Sequence, residues 1–225
     1  MKIKTLVYCL FLSSMIFAQE VNYTDKDGLK QGLWQKMYDN GSIRYQGQFI
    51  NNNPTGMFYH YYQDGTLKAQ ENFFSKSHSA VHFFYETGGL KAAGLYIDNK
   101  KDSTWNYYNR DSVLILSEEY NSGRLHGKTK TYYDSDVKSL NNENKVYEIK
   151  NWDNGIQDGL WEQYFVDGTL KMTSSFNAGK REGEHLFFYP SGQLNFEGSY
   201  QEDKKIGEWK YYDMSGEIDT ILYFK

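Results

Sequence analysis

A period of 24 residues runs through this chain and leaves few folds open to it. With Gly32-Leu33-Trp34 as a frame, the same frame recurs at Gly56, Ser79, Ser103, Gly127, Gly159, Gly183 and Gly207, in steps of 24, 23, 24, 24, 32, 24 and 24 residues. Eight units therefore fill residues 32–225. Such a period marks an architecture whose units bury their apolar side chains against their neighbours. Two residues after each frame start stand Trp34, Phe58, Val81, Trp105, Thr129, Trp161, His185 and Trp209. Three further on come Met37, Tyr61, Phe84, Tyr108, Tyr132, Tyr164, Phe188 and Tyr212. Every unit closes on an aromatic: Phe49, Phe73, Tyr96, Tyr120, Trp152, Phe176, Tyr200 and Phe224.

Each unit reads as a β-hairpin. Asp39-Asn40-Gly41, Gln63-Asp64-Gly65, Val166-Asp167-Gly168 and Pro190-Ser191-Gly192 are turn signals, because Gly accepts positive φ and Asx or Ser bonds the local backbone. In the second strand Ile43, Tyr45, Gly47 and Phe49 alternate with Arg44, Gln46 and Gln48, which predicts one apolar and one wet face. The first strand leaves two alternatives open. Trp34 and Met37 differ in parity, so either both faces carry aromatics or a bulge intervenes. A second connection, through Asn52, Gly123, Gly155, Gly179 or Asp203, joins unit to unit by another hairpin. The predicted fold is all-β: an elongated antiparallel β-hairpin repeat array, one twisted meander sheet of about 16 strands, roughly 75 Å long at the usual strand spacing. Its last strand, Ile221-Leu222-Tyr223-Phe224, is apolar and leaves an edge open to pairing with another chain.

Composition narrows the function. Aromatic residues make up 18% of the chain, which excludes a disordered polar polymer. One cysteine excludes a disulfide framework and a thiolate metal cluster. A formal charge of −4 argues against a protein that tracks nucleic-acid phosphates. Residues 1–18 pair Lys2 and Lys4 with the apolar run Leu6–Leu12 and end on Ala18, the pattern of a removable export signal, too short for a transmembrane anchor. Cleavage near Ala18-Gln19 takes Cys9 with it, lowers the formal charge to −6 and predicts an exported protein. Cys9 follows the bulky Tyr8, which argues against lipid attachment. Residues 19–31 form a lead-in, and the long fifth step marks an insertion near 136–146 whose stretch Ser139–Lys145 is polar and loop-like.

No catalytic, cofactor or metal constellation stands out. His78 and His82 have helical metal spacing, but in a β region with no carboxylate motif. Asp39, Asp64 and Asp167 occupy hairpin turns, where Asp serves the backbone. Nucleophile-elbow, phosphate-loop and dinucleotide motifs are all missing. The expected function is therefore a non-enzymatic exported module for protein interaction or scaffolding. The alternative is glycan or envelope-polymer binding through a ladder of exposed aromatics, with Tyr62, Tyr85, Tyr107, Tyr133, Tyr189 and Tyr211 as the candidate surface. Attraction to anionic lipid is opposed by the negative charge.

The columns Gly-x-Trp-x-x-Tyr-Tyr-x-x-Gly-x-Leu-Lys, with a following aromatic and Gly-Lys turn, resemble the MORN repeat, and most closely its variant, antitoxin-like (YwqK-type) bacterial branch. The likeness is clearest in the first, second, sixth and seventh units. The third to fifth depart at the frame (Ser79, Ser103) or the hairpin (Ser112, Asp136). The resemblance implies an elongated hairpin array that makes protein or membrane contacts, with no catalytic residues. An antitoxin or immunity role is implied by the branch alone.

Overall fold

The computed structural model describes residues 20–133 and 145–225. The export signal, its cleavage point and nearly all of the insertion lie outside the described residues. Among the described residues, sixteen strands form one open sheet in sequence order. The first half comprises β1 (Gly32–Met37), β2 (Ile43–Ile50), β3 (Asn53–Tyr61), β4 (Leu67–Phe73), β5 (His78–Phe84), β6 (Leu90–Ile97), β7 (Lys100–Tyr108) and β8 (Leu114–Asn121). The second comprises β9 (Arg124–Tyr132), β10 (Val146–Asp153), β11 (Ile156–Tyr164), β12 (Leu170–Asn177), β13 (Lys180–Phe188), β14 (Leu194–Gln201), β15 (Lys204–Tyr212) and β16 (Ile218–Phe224). Each strand runs antiparallel to the next, so the predicted all-β meander is what forms. The lead-in folds beside β1: Asn22 N–H donates to the Leu33 carbonyl at 2.9 Å, and Thr24 bridges Lys30.

Two turn types alternate. Within a unit, the Gly41 N–H donates to the Tyr38 carbonyl and the Tyr38 N–H to the Ser42 carbonyl. This is a turn closed by one left-handed residue, and Gly41 supplies it at φ 84°. Ser112, the departure noted in the sequence, holds the same place at φ 60°. Between units, except at the β4–β5 connection, two residues with positive φ make the link, as Asn51 (49°) and Asn52 (64°) or Asn154 (49°) and Gly155 (88°) do. That pair is the signature of a type I′ hairpin.

Two irregularities per unit shape the sheet. Pairing passes from Lys36↔Tyr45 to Met37↔Ile43, skipping Arg44. The same skip falls on Lys68, Lys91, Ile115, Tyr147, Lys171, Asn195 and Asp219. A second break separates Gln46↔Tyr59 from Gln48↔Thr55, around Gly56 at φ 63°. The third unit lacks that break: β4 and β5 pair without a shift, and Ser79 has no positive φ. The single short step of 23 residues falls at this unit. Of the two alternatives for the first strand, the structure takes the one in which both faces carry aromatics. A bulge intervenes on the partner strand, and the Tyr61 hydroxyl meets Gln46 Nε2 at 3.2 Å on the side opposite the tryptophans.

Among the described residues the sheet is a single layer, and its core is a set of rows on one face. Trp34 pairs with Gly47, Phe58 with Glu71, Val81 with Gly94, Trp105 with Glu118 and Trp209 with Leu222. Val81, Trp105 and Trp209 are each only 1% exposed although no second layer covers them. Neighbouring rings supply the cover: Tyr96 and Phe83 flank Trp105, while Tyr200, Phe196 and Phe224 flank Trp209. Cations complete it. Lys30, Lys101 and Lys205 hold their ammonium groups 4.5, 4.7 and 3.9 Å from the ring centres of Trp34, Trp105 and Trp209, an attraction worth about 0.5–1 kcal/mol each where water still reaches.

Candidate binding face

The aromatic face is where the fold gathers its distinctive chemistry. Its outer margin is a column of rings at Tyr38, Tyr62, Tyr85, Tyr133 and Tyr189, each beside a hairpin turn. Their hydroxyls do not point to solvent. Tyr38 donates to the Tyr61 carbonyl, Tyr62 to Phe84, Tyr85 to Tyr108, Tyr133 to Tyr164 and Tyr189 to Tyr212, at 2.7–2.8 Å. Each bond clasps one unit to the end of a strand in the next. In four units the skipped residue of the bulge lies over the ring of this column: Arg44 over Tyr38 at 5.8 Å, Lys68 over Tyr62 at 5.5 Å, Lys91 over Tyr85 at 5.6 Å and Lys171 over Phe165 at 5.8 Å. In the fifth unit Tyr147 takes that place against Tyr133. Strand alternation put Arg44 on the wet face with Gln46 and Gln48; the bulge turns it onto the aromatic face instead.

The six candidate tyrosines divide between two columns. Tyr62, Tyr85, Tyr133 and Tyr189 belong to the clasp column, whereas Tyr107 and Tyr211 stand two residues earlier in their units. Tyr107 accepts a hydrogen bond from Lys101 Nζ at 2.6 Å, and Tyr211 packs on Phe196 at 5.5 Å. All six are half-buried. Tyr62, Tyr85 and Tyr107 line one recess together; Tyr133, Tyr189 and Tyr211 are not part of it.

That recess holds about 530 Å³ and adjoins a second of about 450 Å³, with Lys68, Phe83 and Tyr96 common to both. The sequence makes the hollow by a change of size along one row. Tyr45, Leu116, Met172 and Phe196 fill this row elsewhere, but Ala69 and Ala92 occupy it here, both buried. Arg44, Lys68, Lys91 and Lys101 surround the hollow. Among the described residues none of these four has a carboxylate within ion-pair distance. Every ion pair found among the described residues involves groups from His126 onward, such as Lys150 with Glu148 and Arg181 with Asp203. Glu71, the acid lining the second recess, is taken up by the Ser79 hydroxyl.

Three groups of this face are biased toward their neutral forms. Burial, with hydrogen bonds to Tyr120 and Glu118, pushes the Tyr107 hydroxyl far above the ordinary phenol range. Burial first, then its bond to Glu118, pushes Tyr120 up to about 12. His60 is pushed down, chiefly by burial. Such neutral groups can stack and donate hydrogen bonds at neutral pH. A different polar patch breaks the aromatic rows at β10. Burial by itself would raise the Glu148 carboxyl, but hydrogen bonds from Lys150, Gln163 and Trp161 outweigh it and hold the group below its ordinary value.

Sequence reasoning missed the basic bulge residues, because a bulge leaves no mark in an alternating strand. It also passed over Ala69 and Ala92, which a comparison of sizes within the row would have exposed. His78 sits against the hydroxyls of Ser75 and Ser77, and among the described residues no cluster of three or more His, Cys, Asp or Glu is placed to hold a metal. No helix among the described residues is long and apolar enough to cross a membrane.

A single-layer array of β-hairpin units with one aromatic face defines the class. Residues 30–51, 54–74 and 181–202 match the MORN repeat variant, which places the family's pattern on the first, second and seventh units. No curated protein sequence matches the chain. Among solved structures, it is similar to a mutant of S. aureus TarM in complex with fondaparinux, alpha-GlcNAc-glycerol and UDP, at 15% identity and a TM-score of 0.28 over 56% of this chain and 19% of that one. A second TarM structure shares 18% identity at a TM-score of 0.26, over 52% and 19% of the two chains. The matched part thus spans about a fifth of those chains, and neither likeness extends to the function of this one.

Proposed function

We propose that this chain is a non-enzymatic, exported binding module that holds its partner on the aromatic face of the array. The observation behind this reading is the open recess over β3 to β8, floored by Ala69 and Ala92, ringed by half-buried aromatics and rimmed by cations without acid partners. An uncovered apolar face with such a rim marks a contact surface. The MORN matches support a protein-interaction or scaffold role, and an antitoxin-like role would be one form of it. The tethered rings and unpaired cations support the glycan reading.

Two adjacent residues of β5 test which face binds. Phe83 lines the recess and His82 projects from the other side of the sheet, exposed. Immobilised Phe83→Glu should lose at least tenfold in capture of partners from the cell-envelope fraction, whereas His82→Glu should capture like the parent. Circular dichroism and thermal midpoints report whether both variants remain folded. Equal capture by the two folded variants would overturn the assignment to the aromatic face.

A further inference from the structure

We propose that the recess of the first to fourth units is a binding site for an anionic polysaccharide, one carrying carboxylate or sulfate groups along an extended chain. This rests on the aromatic face being the binding face and names its ligand. Charge comes first. The chain as a whole is acidic, yet the rim here holds Arg44, Lys68, Lys91 and Lys101 with no carboxylate in ion-pair contact among the described residues. Cations further along the array are drawn into pairs with Glu148, Glu197, Glu202 and Asp203. Cations without an acid partner need not leave an ion pair to meet an anion, so only their side-chain ordering opposes the new bond.

Spacing is the second argument. Arg44, Lys68 and Lys91 occupy the bulges of β2, β4 and β6, so successive cations stand two strands, or about 10 Å, apart along the face. That is close to the length of two pyranose rings in an extended chain, so an anion on alternate sugars meets a cation at each unit. Phe83 lines the same recess, Lys68 and Lys91 stand over the rings of Tyr62 and Tyr85, and the two tyrosine rings are fixed by their hydroxyl clasps. Fixed flat rings suit the apolar faces of sugars, and their ordering is complete before the ligand arrives.

An acidic peptide fits less well. Outside the bulges, the backbone N–H and C=O groups of β3 to β8 are engaged in the ladder on both sides, so the recess offers an extended peptide no continuous row of main-chain partners. Recognition of extended peptides usually depends on such partners. Sugar hydroxyls and anionic groups can use the ammonium, guanidinium and ring surfaces that are present.

Titration calorimetry of the chain with four probes tests this: a hexameric galacturonate, a heparin-derived hexasaccharide, neutral cellohexaose and poly-glutamate. At least one of the two anionic sugars should bind the parent, the carboxylated and sulfated probes separating the two sources of charge. Cellohexaose and poly-glutamate should bind at least tenfold more weakly. The double variant Lys68→Gln/Lys91→Gln, at exposed positions, should keep its thermal midpoint and lose at least tenfold in affinity for the anionic sugar. Binding of neither anionic sugar, an unchanged affinity in the double variant, or poly-glutamate binding as tightly as the sugar would each overturn the proposal. Loss of sugar binding alongside Phe83→Glu-sensitive capture would remove the ligand assignment alone. Capture indifferent to Phe83→Glu would remove the binding face itself.

Discussion

At Gly94 the indole of Trp105 lies flat on the backbone, so an added Cβ would meet the ring at 2.3 Å. Gly47 under Phe58 and Gly198 under Trp209 repeat the arrangement. These glycines are needed for space. Gly56 is needed for conformation, since it holds φ 63° with nothing within 4 Å of an added Cβ. The two requirements predict different costs. Gly94→Ala should destabilise by about 3 kcal/mol, the upper range for overpacking a core. Gly56→Ala should cost about 1 kcal/mol, because Ser103 already shows that a non-glycine residue tolerates that place. Equilibrium urea unfolding of the two variants checks the order, and equal losses would contradict it. His185 carries the pH dependence of this scale. Burial, helped by Arg181 and Lys205, pushes it down to about 4 from an ordinary 6.5, while Trp209 and Tyr200 pack around it. The unfolded chain then binds the proton more readily, so stability is complete above pH 6.5 and falls as pH drops toward 4. With allowance for its partial exposure the loss is about 1 kcal/mol. Thermal midpoints of His185→Phe should vary less than those of the parent across that window, with His60 contributing a smaller slope of the same sign.

At the scale of the element, the hairpin turns and the two strand ends were legible because each demands a particular residue. A left-handed closing position selects Gly, and Asp64 or Asp167 bonds the N–H two residues on. The bulge was not legible. Arg44, Lys68 and Lys91 alternate with apolar neighbours as solvent-facing residues would, and only the pairing register shows that they are skipped and turned over. The tyrosine clasp was half legible: the column is plain, but its carbonyl partners lie one unit away, on strands that pairing brings alongside. Tyr85→Phe keeps the ring and removes the bond to the Tyr108 carbonyl. It should cost about 1 kcal/mol, and hydrogen exchange should quicken at the Asn109–Val113 turn before it does in β12. Unchanged exchange at that turn would show that the clasp adds nothing to the joint.

At the scale of the whole molecule, each strand among the described residues pairs only with its neighbours in sequence. Stability is then close to a sum of unit and interface contributions, and damage stays local. Gly198→Ala, which disturbs Trp209, should raise amide exchange in β13 to β16 and leave β2 to β5 protected, as mass spectrometry of exchanged peptides would show. Uniform exchange along the array would mean cooperative unfolding instead.

By itself the sequence determined the class of fold, the number of units, the turn positions and the identity of the aromatic columns. All of these follow from local demands: φ at the turns, and periodic burial along the strands. Only the tertiary structure decided which side chains share a face with which. The six tyrosines that looked like one ladder fell into two columns, and the recess emerged where Ala69, Ala92 and three bulged cations converge. The reason is physical. A face in a repeat array is assembled from different strands, and a bulge of one residue reverses the direction of a side chain without altering the pattern that encodes the strand.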